Sequence, residues 1–196
     1  MEQEIQDVSI KRIQEAMPQL KGIENELIID YTEYKMPNDK HPIHRYPIRF
    51  DGLYIGLREK GKARFSINLK EFEVGHNDLV ICSPNDLVQA SLHEDIHLVQ
   101  SMIVSSHFLK EMYISLNSFM PFFATRKDHP VFHLADSEME ELKAYFLLIK
   151  DNIEKDDYFR ADIIKRLLAA YLYKLGSILY RHRPELQEEA AKPLKR

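Results

Sequence analysis

The residues with the most evident chemical potential are His93-Glu94-Asp95-Ile96-His97, which satisfy H-E-x-x-H. In zinc peptidases that pattern works on a helix, where two imidazoles share one face and the Glu polarises a metal-bound water. Here the flanks have period two instead. Val88, Ala90 and Leu92 alternate with Gln89, Ser91 and His93, and an apolar run follows from Leu98 to Val104. That predicts strand, turn and strand, on which Glu94 is not placed as a base, and no third ligand follows. A metal-dependent barrel enzyme would need clustered ligands, commonly a paired H-x-H with a downstream Glu. The chain has no H-x-H; His41 and His44 fall in a Pro-rich loop and His76 in a turn, positions typical of solvated histidines. Cys82 closes the apolar run Leu79-Val80-Ile81-Cys82 and reads as a buried structural thiol. No serine sits in a G-x-S-x-G elbow, and 6 glycines provide no phosphate-cradling loop. No catalytic residue, metal or cofactor is expected.

A binding chemistry is better supported. Tyr54, Arg58 and Lys60 share one face of a candidate strand, with Leu53, Ile55 and Leu57 on the other. If the first face lines a cavity, Arg58 and Lys60 can pair with an anionic ligand while Tyr54 stacks on it. If the second face fills the interior, the polar set is a solvated outer surface. Alternation by itself favours this second arrangement.

The elements that must position these residues follow from periodicity. Ile5, Val8, Ile13 and Met17 outline a short amphipathic helix or partly ordered arm. Leu27 to Tyr31 is a candidate strand, and Pro37, Pro42 and Pro47 mark an irregular loop. The run Leu53 to Leu57, the turn Lys60-Gly61-Lys62 and the alternation of Phe65, Ile67 and Leu69 read as a hairpin. Short strands follow around Phe72 and Val74, from Leu79 to Cys82, from Val88 to Leu92 and from Leu98 to Val104, separated by Gly75 to Asp78 and Ser83 to Asp86. Such strands predict a small closed or nearly closed sandwich or barrel, since closure removes exposed edges. Beyond residue 107 the period is helical. Phe108 to Ser118 is one helix, and Pro121 and the segment Arg126 to Pro130 interrupt the pattern. Ser137-Glu138-Met139-Glu140 fits a capping box for a helix carrying Met139, Leu142, Phe146, Ile149 and Ile153. A last helix carries Ile164, Leu168, Tyr171, Leu175 and Ile178. Two such seams joined by a short polar loop predict an antiparallel helical hairpin. Leu167, Leu172 and Leu179 lie off the seam. Apolar surface beyond one partner's needs marks a dimer interface formed by Leu167, Leu168, Tyr171, Leu172, Leu175 and Leu179, or else packing of these residues on the β-domain.

Bulk properties exclude some functions. A net charge of -4 and a pI near 6.1 argue against a nucleic-acid-binding surface, which shows a basic stripe. The terminal Lys192-Pro193-Leu194-Lys195-Arg196 reads as a linker into something more basic. The first twenty residues lack a secretory h-region and no run is long enough to span a bilayer, so a cytoplasmic setting without membrane contact is expected.

The segment Arg49-Phe50-Asp51-Gly52-Leu53-Tyr54-Ile55-Gly56-Leu57, with Lys60-Gly61-Lys62, Phe65 to Leu69, the Gly75 to Asp78 turn and the strand ending near Pro84, resembles the N-terminal region of AraC-type transcription regulators. His129-Pro130-Val131-Phe132-His133-Leu134 and the two seamed helices resemble a branch of that family. The likeness runs over about residues 25 to 183. It implies an α+β chain: an N-terminal helix or arm over 1–26, a cupin-like β-barrel sensor over 27–106, and a helical dimerisation region over 107–196. It also implies a small effector, anionic or sugar-like, inside the barrel, with Lys60 touching it and Tyr54 and Arg58 beside it, and a homodimer. The resemblance further implies roughly a hundred residues of helix-turn-helix region after Arg196; DNA would be reached through that part, not through this chain. A freestanding cupin-type metal-dependent enzyme is the alternative.

Overall fold

The computed structural model describes residues 6–17, 20–23, 25–35, 46–92, 96–112 and 130–182. Its elements, in chain order, are β1 (Gln6–Asp7), α1 (Ile10–Ala16), β2 (Lys21–Ile23), β3 (Leu27–Lys35), β4 (Ile48–Arg49), β5 (Gly52–Lys60), β6 (Ala63–Ile67), β7 (Lys70–Val74), β8 (Asp78–Cys82), β9 (Leu87–Leu92), β10 (Ile96–Ser105), α2 (Ser106–Glu111), β11 (Val131–His133), α3 (Asp136–Glu154) and α4 (Arg160–Arg181). The strands form two sheets, ordered β1-β4-β9-β6-β7 and β11-β8-β5-β10-β3-β2. Apart from the parallel β1–β4 pair, all ladders are antiparallel. Among the described residues no ladder joins the two sheets.

Period two places each side chain of the six-stranded sheet on one of two surfaces. Ile28, Tyr54, Val80, Cys82 and Ile103 face inward and pack with Phe65, Ile67, Val88 and Ala90 of the other sheet. Leu27, Ile29, Leu53, Ile55, Leu57, Leu79, Ile81, Met102 and Val104 face outward onto the helices. The molecule therefore has two apolar cores, with the larger sheet as their shared wall. Full burial of each such side chain is worth about 1.5–3 kcal/mol.

The expected hairpin around Lys60 to Lys62 is not a ladder. β5 is paired on both sides, by β8 and β10, while β6 pairs with β7 and β9. With both edges of β5 taken, the Gly61 turn (φ +81°) carries the chain to the other sheet. The tight hairpin is instead β6–β7, where Asn68 and Leu69 are the turn, at φ +49° and +68°. Leu69 is thus not an alternating strand residue: it is 83% exposed.

The N-terminal segment forms the expected helix and is packed rather than loose. Ser9 Oγ accepts from Arg12 N–H at 3.2 Å, and Val8, Ile10 and Ile13 join the inner core. The helix expected from Phe108 starts at Ser106, because Ser105 Oγ caps it by accepting from Phe108 N–H at 2.8 Å; residues 113 to 118 of that expectation lie outside the described residues. Val131–His133, inside the region expected to be helical, is a strand on the edge of the larger sheet.

α3 starts one residue before the expected Ser137 cap. Ala135 is its N-cap, so the reciprocal carboxylate is Glu138, whose Oε2 accepts from Ala135 N–H at 3.1 Å. Every α3 seam residue is buried, Met139, Leu142, Phe146, Ile149 and Ile153 alike. α4 lies along α3, with Lys174 Nζ 2.6 Å from Glu141 Oε1 and Arg181 Nη2 3.1 Å from Glu138 Oε1. Both helices pack on the outward face of the six-stranded sheet.

Candidate ligand-binding site

The candidate site is built on β5. Its inward positions are Tyr54, Gly56 and Arg58, whose neighbours across β10 are Ile103, Ser101 and Val99. The arrangement favoured by alternation alone is therefore reversed: Leu53, Ile55 and Leu57 face the helical layer, and the polar residues point between the sheets. The helices supply a second apolar environment that alternation cannot reveal.

Tyr54 spans the gap between sheets, its ring centroid 6.4 Å from that of Phe65. The ring lies along the strand over Gly56, where an added Cβ would come within 2.5 Å of Tyr54 Oη. Burial pushes the Tyr54 hydroxyl above its ordinary range; nearby Cys82 and Asp30 push it further, and Arg58 pulls it back. The phenol stays protonated at neutral pH and offers a donor.

Arg58 is buried, at 3% exposure. Its Nη1 lies 3.1 Å from His97 Nδ1 and 3.4 Å from the Lys60 carbonyl oxygen. A guanidinium only donates, so His97 Nδ1 is the acceptor and that imidazole carries its proton on Nε2. The Gly61 turn presses on the same ring, since a Cβ there would meet Nδ1 at 2.5 Å. A guanidinium and a phenol O–H within an apolar shell suit a carboxylate attached to an apolar body.

Lys60 is not part of this face. β10 residues Val99 and Leu98 pair with Arg58 and Lys60, so Glu59 is an extra residue on β5. Such a bulge shifts the period by one and flips the residues beyond it. Lys60 consequently lies outside, 3.2 Å from Glu33 Oε2. Glu59 also points outward, accepting from Gln100 Nε2 and from Lys143 Nζ at 2.8 Å. Burial would raise the Glu59 pKa, but hydrogen bonds from Lys143, Gln100 and Tyr31 outweigh it and hold the carboxyl below its ordinary value. The Glu59 hydrogen bond is the main reason that Lys143 is raised. Beside this pair a cleft of about 160 Å³ opens between the sheet and the start of α3, lined by Lys60, His76, Asn77, Asp136 and Met139 among others.

His97 was legible only as half of a motif with the wrong context: it lies on strand β10, and His93, Glu94 and Asp95 lie outside the described residues. Glu59 and Lys143 carried no signal, because alternation places Glu59 on the face of Leu57 without showing that α3 covers that face. His41 and His44 are also outside the described residues; His76 is in a turn and bonds the Glu59 carbonyl. Among the described residues no group of three or more His, Cys, Asp or Glu could hold a metal ion. None of the described helices is long and apolar enough to cross a membrane.

Of the residues expected at a dimer interface, Leu168, Tyr171, Leu172, Leu175 and Leu179 are all buried within this one chain, and Leu167 is half-buried against the same core. They fill the space between α3 and the six-stranded sheet.

Several solved structures resemble this one at low identity. The AraC-like transcriptional activator CuxR superposes with a TM-score of 0.45 at 13% identity, over 82% of this chain and 54% of CuxR. An apo ToxT variant from Vibrio cholerae strain SCE256 gives 0.43 at 10% identity, over 78% of this chain and 56% of ToxT. A cupin 2 conserved barrel domain protein from Leptotrichia buccalis gives 0.38 at 10% identity, over 44% of this chain and 39% of its own. This chain spans little more than half the length of CuxR or ToxT. No family model and no curated protein matches the sequence.

Proposed function

We propose that this chain is the effector-sensing and dimerising part of an AraC-type transcription regulator, and that its effector is a small organic anion held between the two sheets. The resemblance of the β5 segment to that family supports the class. The single observation that carries the ligand chemistry is the inward, buried guanidinium of Arg58 beside the phenol of Tyr54. Arg58 takes the anionic group, Tyr54 donates to it or stacks on the attached body, and His97 orients the guanidinium. Occupancy favours one arrangement of sheets and helices over another, and only a difference in binding free energy between the two can do so. α3 and α4 act as an antiparallel hairpin that carries the bias, through the dimer, to DNA-binding heads that follow this region. Because the α4 seam is consumed in the core, the dimer contact in this reading uses the outer helical face, where Leu148 and Tyr173 are exposed.

A thermal-shift screen against organic acids, neutral sugars and divalent transition metals tests the reading. An acid at a hundredfold excess over its Kd should add about 2.7 kcal/mol, or roughly 5–10 °C in Tm for a chain of this size. Arg58→Met should abolish the shift. Stabilisation by a transition metal alone would instead favour the metal-dependent enzyme, and acid shifts retained in Arg58→Met would sink the assigned site.

A further inference from the structure

Arg58 and Glu59 share one peptide bond and face opposite sides of the larger sheet, as neighbours on a strand do, and the bulge keeps Lys60 on the same side as Glu59. Arg58 points between the sheets; Glu59 grips α3 through Lys143. The 75–78 turn holds the backbone of both. Asn77 N–H donates to the Arg58 carbonyl at 2.9 Å, and His76 Nδ1, 2.8 Å from the Glu59 carbonyl, must be the donor there. Asn77 then turns to α3: its carbonyl accepts from Leu134 N–H at 2.9 Å and its Nδ2 donates to Asp136 Oδ1. Two residues further, Glu138 receives Arg181 Nη2 at 3.1 Å and pairs with His182 Nε2 at 2.8 Å, the last residue of α4 and its C-cap. The links are sheltered at the bulge, where Asn77 is 7% exposed and the Glu59 side chain 17%; at the far end Glu138 is 13% exposed and its partner Arg181 52%. Sheltered charged hydrogen bonds are screened less than surface pairs. The cleft beside them leaves room for the start of α3 to move against the bulge.

We propose that the Glu59 bulge and the 75–78 turn relay events at Arg58 to the contact between Glu138 and the C-terminal turn of α4, so that this turn is the output of the domain. The proposal rests on the sensing reading for its purpose, but its wiring can be tested without any ligand. A ligand that draws Arg58 inward must shift the Glu59 peptide. That shift reaches α3 along two arms, through Lys143 and through Asn77. The α3 start then changes its hold on Arg181 and His182.

The test is amide hydrogen exchange by mass spectrometry on the whole chain, comparing wild type with Glu59→Gln, Glu138→Gln and the double variant. Glu59→Gln, which keeps shape and removes charge, should speed exchange of the last turn of α4 about fivefold or more. The central strand amides of 53–57 and 100–104 should be unchanged, which separates a relay from general loosening. In a serial relay the double variant exchanges no faster in that turn than Glu138→Gln alone. No change at 178–182 in Glu59→Gln, or effects that multiply in the double variant, overturns the relay. Should Glu59→Gln fail to fold, Lys143→Met tests the same arm by the same readout. A parallel arm with saturating benzoate reports separately on sensing: a silent benzoate arm with a positive variant arm leaves the relay standing and counts against an aromatic acid as effector.

Discussion

Gly56 matters because of what lies on it. The Tyr54 ring occupies the space that a Cβ at 56 would need, with Oη 2.5 Å from that position. Gly56→Ala should therefore cost about 1–3 kcal/mol, the usual range for overpacking, read by urea denaturation. It should also weaken any acid-induced Tm shift, since Tyr54 is displaced from beside Arg58. The Glu59–Lys143 pair has its own pH signature. Glu59 is lower in the folded state than in the unfolded chain, so its contribution is complete above the unfolded value of about 4.3 and is lost as pH falls through the folded one. Lys143 is raised, so its share is complete below its unfolded value of about 10.4 and is lost only at still higher pH. Thermal melts should show the stability gap between wild type and Glu59→Gln as constant from about pH 6 to 9 and shrinking below about pH 4. A gap that widens in acid would contradict the pairing.

At the scale of elements, what periodicity can report was legible. The seams of α3 and α4 were readable because repeats of three and four leave few alternatives, and every seam residue is buried. The strands from Gly52 to Ser105 were readable for the same reason. Pairing was not. Lys60-Gly61-Lys62 has hairpin chemistry, and nothing local shows that β5 already has two neighbours. Lys60 fell on the wrong face because a one-residue bulge has no sequence mark of its own, whereas Arg58 and Tyr54 precede it and kept their shared face. Asn68-Leu69 carries a lesson of the same kind, since no rule of turn chemistry selects a leucine at positive φ. Leu69 holds a left-handed backbone with its side chain in solvent, a strain of about 1–2 kcal/mol. Leu69→Gly should thus raise stability, by about 1 kcal/mol, visible as a later urea midpoint with an unchanged slope. A loss of stability would mean that Leu69 makes a contact in solution that the isolated fold does not contain.

At the scale of the whole molecule, the six-stranded sheet is the organising wall, with a ligand chemistry proposed on one side and a helical layer on the other. Apolar excess on α4 is explained by that wall: Leu172 and Leu179 need the sheet as well as α3. Leu175→Ala should accordingly cost about 2–5 kcal/mol of folding stability while leaving the mass in solution unchanged. Tyr173→Glu with Leu148→Glu should do the converse, lowering the mass of the proposed dimer with little effect on Tm. Light scattering beside thermal melts separates the two behaviours.

The place of β5 also governs how the chain can come together. Its ladder partners are β8, between twenty and thirty residues on, and β10, roughly forty to fifty residues on. Closing such distant pairs is entropically slow, and folds dominated by them assemble on millisecond to second timescales. During synthesis β5 must wait for β10 to emerge before both its edges are covered. A nascent chain halted before Ile96 leaves one edge of unpaired backbone groups open, so the first chance to aggregate comes during synthesis, before β10 has emerged.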